Sequence, residues 1–300
     1  MDQLHAMRVF ARVVETGSFT QSAEQLNLPR ASVTNAVQQL ERHLGVRLLH
    51  RTTRKVTLSS DGTLYYQHCQ RVLAALDESD ALFSGALAAP HGTVRVDLPE
   101  RLARLVVIPA LPDFCSRYPG IQLRLSATDR LVDLVEEGID CVVRVGALAD
   151  SSLIARRVGE MRQINCGAPD YLDRHGRPQT LAELAGHLEV KFFSNRTGRD
   201  LDWEYVQDGE RKTIKLQSAV AVSSAEAYQA CCLAGLGLIQ APLHGLRDDI
   251  AAGRLEAILP DYPPPPLPVS IVYSSQRLLA PRLRVFIDWL AELLAGQDWG

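Results

Sequence analysis

Residues 27–41, NLPRASVTNAVQQLE, combine the spacing of a helix with an unusual set of outward side chains. Pro29 suits the first helical position, and Val33, Ala36, Val37, Leu40 and Leu44 recur at helical intervals, filling one arc of the wheel. The opposite arc holds Arg30, Thr34, Asn35, Gln38 and Arg42. A face that only meets water is ordinarily built from Glu and Lys, which favour helix; short amide and hydroxyl side chains beside arginines do not. Such groups can hydrogen-bond base edges in a major groove, with arginine available for guanine or for phosphate.

The flanking residues predict how that face is held. Leu4, Met7, Val9, Phe10, Val13 and Val14 give residues 3–16 one apolar side at helical spacing. Ser18 and Gln21 have the S-x-x-Q spacing of a capping box, which starts a helix carrying Ala23 and Leu26. With a tight turn at Asn27–Pro29, this makes a helix-turn-helix whose second helix shows the polar arc. After Gly45, VRLLHRTTRKVTLSSDG predicts two short strands around the basic tip RTTRK, a wing. The charge is distributed to match. Residues 1–60 hold eight Lys or Arg against four Asp or Glu, while the whole chain of 300 residues carries a formal −3. A small basic module on an acidic body fits contact with nucleic acid.

Other chemistry is poorly represented. No GxSxG, HExxH or P-loop pattern occurs, and GLGLIQ (235–240) lacks the third glycine of a dinucleotide fingerprint. His187 and His244 have no nearby nucleophile or carboxylate pattern and read as structural. The cysteines at 69, 115, 141, 166, 231 and 232 show no CxxC and no zinc spacing, so they read as reduced thiols, with no metal and no cofactor expected. The N-terminus mixes charge into every turn, unlike a secretory signal, and no apolar run reaches the roughly 18–20 residues that span a bilayer. A cytoplasmic protein without enzymatic activity is expected.

In residues 61–89, Tyr65, Cys69, Val72, Leu76, Ser79, Phe83 and Ala86 follow alternating steps of four and three, a heptad seam that calls for a partner helix. AAPHG (88–92) marks a hinge. From residue 93 strand-like and helix-like segments alternate, which predicts a mainly parallel α/β sheet. Asp208–Gly209 reads as a hairpin turn, and DYPPPPLP leads to a last strand, VSIVYSS, and a helix over 281–295. A solute-binding or enzymatic α/β protein would account for this region alone, but would leave residues 1–89 unexplained.

The ordered set MRVFARVVETGSFTQSAEQLNLPRASVTNAVQQLERHLGVRLLHRTTRKVTLSSDG, TDRLVDLVEEGIDCVVRVG, DSSLIARRVG, PDYLDRHGRP and LAGLGLIQAP resembles the LysR-type transcriptional regulators over essentially the whole chain. That resemblance implies an N-terminal winged helix-turn-helix (1–60), a long linker and dimerisation helix (61–89), and a two-lobed effector domain like a periplasmic binding protein (90–300). Lobe I would take about 90–162 and 268–300, and lobe II about 163–267. It implies double-stranded DNA as partner, a small-molecule effector between the lobes, and a homotetramer built as a dimer of dimers.

Matched to the family's motif, Arg30, Ala31, Thr34 and Asn35 face the groove, where members commonly have Gln, Pro, Ser and Arg. The operator's base preferences therefore do not carry over. Gln38 shares the arc, and Arg51, Arg54 and Lys55 of the wing would meet phosphates or a minor groove. In the effector domain the resemblance points to Arg101, Thr128, Arg144, Ser194, Ser223, Ser224 and Glu226. Arg101 stands where the family often has Ser or Thr. It would serve an anionic effector by charge, or it would pair with Glu226 and fill the space.

Overall fold

The computed structural model describes residues 2–51, 56–83, 89–130, 132, 134, 137–148, 153–195, 198–274 and 279–299. The chain divides into two compact units, Met1–Ala88 and Ala89–Gly300.

The first unit runs α1 (Gln3–Thr16), α2 (Phe19–Gln25), α3 (Arg30–Leu44), an antiparallel pair β1 (Leu49–Arg51) and β2 (Val56–Leu58), then α4 (Ser60–Phe83). Local signals set the helix ends. Asp2 caps α1 through His5 N at 3.0 Å, and Gly17, at φ 63°, supplies the left-handed residue that closes it. Ser18 Oγ accepts from Gln21 N at 3.4 Å, the hydrogen bond its S-x-x-Q spacing predicts. Phe10, Val13, Val33, Val37, Leu40 and Leu48 are fully buried together, so the apolar arc of α3 is the side that anchors it. Glu41 adds a polar tie from α3 to the start of the hairpin, accepting from Leu48 N and Leu49 N at 3.0 and 3.2 Å.

The start of α4 is packed against the same unit. Ser59 Oγ caps it through Gly62 N, and a Cβ at Gly62 would lie 1.9 Å from the Leu48 carbonyl oxygen, so only glycine fits that turn. Two positions of the heptad seam are taken up inside this unit. Cys69 is fully buried, Tyr65 lies 5.9 Å from the ring of Phe10, and Leu73 packs on the same core. These first seam positions serve their own domain, because a helix this close to α1 satisfies its apolar face locally. The next seam position, Val72, turns outward, as does Leu64; they are 41% and 59% exposed. The side chains of Ser79, Phe83 and Ala86 lie outside the described residues.

The second unit begins with β3 (Gly92–Leu98), then one long helix in three parts: α5 (Glu100–Leu102), a π-type turn (Ala103–Val107) and α6 (Ile108–Arg117). Pro109 and Pro112 lack the N–H groups that would continue the ordinary helical ladder, and the widened turn precedes them. There follow β4 (Ile121–Ala127), β5 (Cys141–Val145), β6 (Ile154–Met161), β7 (Gln163–Gly167), α7 (Pro169–His175), β8 (Leu188–Phe192), β9 (Trp203–Gln207), β10 (Glu210–Ile214), β11 (Gln217–Val222), α8 (Ala225–Leu233), β12 (Ile239–Pro242), α9 (Arg247–Ala251), β13 (Glu256–Ile258), β14 (Leu267–Tyr273) and α10 (Pro281–Ala295).

These elements form two lobes. In lobe I the sheet order is β4-β3-β5-β14-β6. β4, β3, β5 and β6 share one direction and β14 alone runs against its two neighbours, so the expectation of a mainly parallel sheet holds except at β14. The reason is the chain path: β14 returns from lobe II and enters beside β6, the strand by which the chain left, with Leu267 opposite Met161. Phe114, Phe286 and Trp289 form an aromatic centre under this sheet. Lobe II pairs β7 with β12 and β13 antiparallel and β8 with β11 parallel, over a core that includes Trp203, Tyr171 and Leu238. Asp208 and Gly209, at φ 56° and 78°, make the tight β9–β10 hairpin that the sequence predicts. The carboxyl ends of β3 and β4 lead directly into Glu100 and Thr128–Asp129, opposite the start of α8. Crevices outside strand ends are where α/β folds place ligands.

Candidate functional site

On α3, Arg30, Ala31, Asn35 and Gln38 are exposed, on the side away from the buried Val33, Ala36, Val37 and Leu40. The side chains of Arg30, Asn35 and Gln38 make no hydrogen bond or ion pair among the described residues. Thr34 differs: it is half-buried, and its hydroxyl donates to the Arg30 carbonyl at 3.1 Å. α3 starts at Pro29 without a side-chain cap, so its first amides keep their donors toward solvent. In the wing, Arg51 closes β1 opposite Val56, with its side chain outside the described atoms. Arg54 and Lys55 lie outside the described residues.

The effector-domain residues separate into two groups. At the mouth between the lobes, Arg101 is only 8% exposed. Its Nε donates to Glu226 Oε1 at 3.1 Å and its Nη2 to the Ala225 carbonyl at 2.8 Å. The pairing of Arg101 with Glu226, one of its two readings, is present. Arg104 donates to the same Glu226 oxygen at 3.1 Å. Burial pushes the Glu226 carboxyl up, but the two guanidinium groups outweigh it and hold the group below the ordinary range. Ser224 caps α8 through Ala227 N at 3.5 Å, and Ser223 is its half-buried neighbour.

Thr128 and Arg144 belong to lobe I alone. Asp97, on β3, is fully buried; Thr128 Oγ1 donates to its Oδ1 at 3.1 Å and Arg144 Nη1 to its Oδ2 at 3.2 Å. A carboxylate buried in a sheet requires such partners, so these two residues satisfy Asp97 from the strand ends. Ser194 is half-buried in lobe II, its carbonyl accepting from Gly198 N and its amide donating to the Arg199 carbonyl. Sequence reasoning missed Asp97, Asp129 and Arg104. Asp129 Oδ2 accepts from Ala225 N at 2.7 Å and Oδ1 from Glu100 N at 3.3 Å, so one carboxylate meets both lobes. Nothing in its local sequence, TDRL, signals a contact with α8, nearly a hundred positions away.

The six cysteines are free thiols. Burial pushes Cys69 up to about 11 and Cys141 higher still, away from the reactive thiolate form. His187 is buried in lobe II beside Tyr171, and its Nδ1 has no hydrogen-bond partner. His244 packs edge-on against Trp299, near the C-terminus, at 5.4 Å. No helix among the described residues is long and apolar enough to cross a membrane.

Comparison with known proteins agrees with this architecture. Residues 4–63 match the bacterial regulatory helix-turn-helix protein family of LysR type, and residues 88–295 match the LysR substrate binding domain. The HTH-type transcriptional regulator YhjC of Escherichia coli (strain K12) is 40% identical, with 98% of each chain covered. An HTH-type transcriptional repressor of Pseudomonas aeruginosa (strain UCBPP-PA14) is 39% identical, over 98% of this chain and 93% of the other. Among solved structures, CrgA from Neisseria meningitidis, a LysR-type transcriptional regulator, is 33% identical with a TM-score of 0.61, over 98% of this chain and 99% of that one. The chain belongs to the LysR family of transcriptional regulators, with a helix-turn-helix for DNA and a two-lobed substrate-binding domain.

Proposed function

We propose that this regulator reads a specific operator through the exposed face of α3 and adjusts its grip in response to a small molecule held between the two α/β lobes. The observation that carries the reading is the face itself: Arg30, Asn35 and Gln38 stand exposed, without a partner among the described residues, on the second helix of a helix-turn-helix. Asn and Gln pair well with adenine and Arg with guanine, while Arg51, Arg54 and Lys55 supply sequence-independent charge. Base contacts by Arg30, Ala31, Asn35 and Gln38 specify the site, and Thr34 contributes position more than recognition.

Two-part operators need two reading heads, so the working unit is a dimer joined through the outward side of α4, paired again through the effector domains into a tetramer. An effector preferring one lobe arrangement shifts the assembly's population, which changes the spacing of the heads and the bend of the DNA. In the cleft, Ser223 and the capping Ser224 bring hydroxyls to the start of α8, Glu226 and Arg101 bring exchangeable charges, and Ser194 is a further contact at the rim. The test is selection of bound duplexes from a random pool by the intact protein, repeated with Arg30→Ala/Asn35→Ala. A sequence preference that the double variant loses supports the reading. A wild-type protein that enriches no sequence, or a double variant with the same preference, defeats it. Light scattering of the intact protein measures the assembly: a mass near four chains of 33.1 kDa is expected.

A further inference from the structure

The carboxylate of Asp129 occupies an odd place. It sits at the carboxyl end of β4 in lobe I, yet its shorter hydrogen bond, 2.7 Å, comes from Ala225 N, the first residue of α8 in lobe II. Its other oxygen accepts from Glu100 N at 3.3 Å, at the start of the lobe I helix. Two helix starts from opposite lobes thus converge on a single side-chain anion, where the backbone donors and the dipole of α8 favour negative charge. Beside it, Arg101 crosses the same gap in the other direction, from lobe I to Glu226 and the Ala225 carbonyl. Ala225 is held by both of its backbone groups: its amide by Asp129 and its carbonyl by Arg101. Lobe II also grips the arginine from behind. A Cβ at Gly245 would lie 2.4 Å from Arg101 Cδ, so the turn Leu243–Gly245 leaves the guanidinium arm no slack.

We propose that Asp129 is a built-in carboxylate latch: in the absence of effector it occupies the anion seat between the lobes and, with the Arg101–Glu226 pair, holds them closed. In this device the chain's own carboxylates already occupy the donors at the mouth of the cleft: Glu226 holds Arg101 and Arg104, and Asp129 holds the first amide of α8. Closure is then the resting state, and an effector acts by competing with Asp129 or Glu226 for groups they already hold. Charge-assisted hydrogen bonds are strong enough to set such a resting state and few enough here to be exchanged for a ligand. The proposal rests on the cleft being the effector site, but its test needs no effector, so the two readings fail separately.

The test is amide hydrogen exchange on the intact protein, followed in segments 98–104 and 223–229, for wild type, Asp129→Ala and Glu226→Gln. Asp129→Ala is expected to speed exchange in those two segments by about tenfold or more, with the sheets of both lobes unchanged. Glu226→Gln is expected to give a smaller increase confined to 223–229. Acetate, compared with an equal concentration of chloride, is expected to restore protection in Asp129→Ala by refilling the vacated seat. Unchanged exchange in both segments, a uniform increase through lobe I, or equal exchange in the two salts would overturn the latch. Should Asp129→Ala fail to fold, Asp129→Asn keeps the shape and one acceptor oxygen while removing the charge. It is expected to show the same two-segment pattern at lower amplitude, and wild-type exchange in it overturns the proposal equally.

Discussion

The outward face of α3 and the mouth of the interlobe cleft are both built from polar and charged side chains, and they treat them oppositely. On α3, Arg30, Asn35 and Gln38 are exposed and make no hydrogen bond among the described residues. In the effector domain, Arg101, Arg104, Asp129 and Glu226 are engaged with one another or with backbone at the mouth of the cleft, and Thr128 and Arg144 with Asp97 behind it in lobe I. A surface that waits for a large, charged and fully hydrated partner can leave its donors in water at little cost. Groups buried between or within the lobes, as Arg101 and Asp97 are, cannot, because an unpaired polar group out of reach of water costs more than its hydrogen bond is worth. The first arrangement is ready to bind. The second has to be opened or exchanged before it binds anything.

The comparison breaks most visibly at Arg144. Its removal leaves Asp97, fully buried, with the Thr128 hydroxyl and without a side-chain cation among the described residues. Arg144→Ala is expected to destabilise the effector domain by about 3–5 kcal/mol, the cost of an uncompensated buried charge. Urea unfolding of the intact protein measures it, and a loss below about 1 kcal/mol would mean that the pair behaves as a surface ion pair. A substitution on α3 should do the reverse, changing binding and sparing stability. Asn35→Ala is expected to weaken operator binding by about 1–3 kcal/mol while leaving binding to random duplex and the unfolding midpoint almost unchanged. Equal losses on operator and random DNA would remove Asn35 from base reading.

That difference also decides what the sequence could show. A helix that exposes one arc and buries the other writes both into a stretch of fifteen residues, so Val33, Val37 and Leu40 against Arg30, Asn35 and Gln38 were legible without coordinates. So were the Ser18 cap, the Asp208–Gly209 turn and the return of the last strand and helix to lobe I, since each is carried by local residue types or by family order. The cleft was not legible to that depth. Asp129 meets Ala225 and Arg144 meets Asp97 across large separations in the chain, and no periodicity encodes such a meeting. The antiparallel entry of β14 is invisible for a related reason: alternation of strands and helices does not say in which direction a returning strand enters. The seam on α4 was legible only in part. Apolar residues at heptad spacing fit a partner helix and a neighbouring α1 equally well, and Tyr65 and Cys69 went to α1.

A smaller and graded effect is expected with pH. Burial pushes His187 below the usual histidine value; His175 pushes the same way and Glu183 opposes it. A histidine held neutral in the fold takes up its proton first in the unfolded chain. It therefore contributes nothing to stability above about pH 6.5, and costs stability progressively as pH falls below that value toward its lower folded pKa. His187→Phe keeps an aromatic ring beside Tyr171 and removes the buried, unpartnered Nδ1. The variant is expected to match wild type at neutral pH and to lose stability less steeply between about pH 5 and 6.5. Melting temperatures across that range measure the slope. Part of it should remain, because His244 is also shifted downward, by burial first and then by Arg247 and Arg101. Identical slopes in wild type and variant would mean that His187 exchanges protons in the fold as freely as in the open chain.

The smallest effect is the sharpest test of the α3 face, because it separates two neighbours on one helix. Thr34 and Asn35 both belong to the arc proposed to face the groove, yet Asn35 is exposed and Thr34 half-buried. The Thr34 hydroxyl is committed to the Arg30 carbonyl, a local bond that competes with outward contacts and orders the first turn of α3. Thr34→Val keeps the branched shape and removes that hydroxyl. If the free structure already shows which side chains read bases, operator affinity should change by less than about 0.5 kcal/mol, several times less than for Asn35→Ala. A loss as large as that of Asn35→Ala would show that the hydroxyl leaves Arg30 on binding. Exposure and freedom from internal partners, the property that distinguishes α3 from the cleft, would then fail to identify which residues touch DNA.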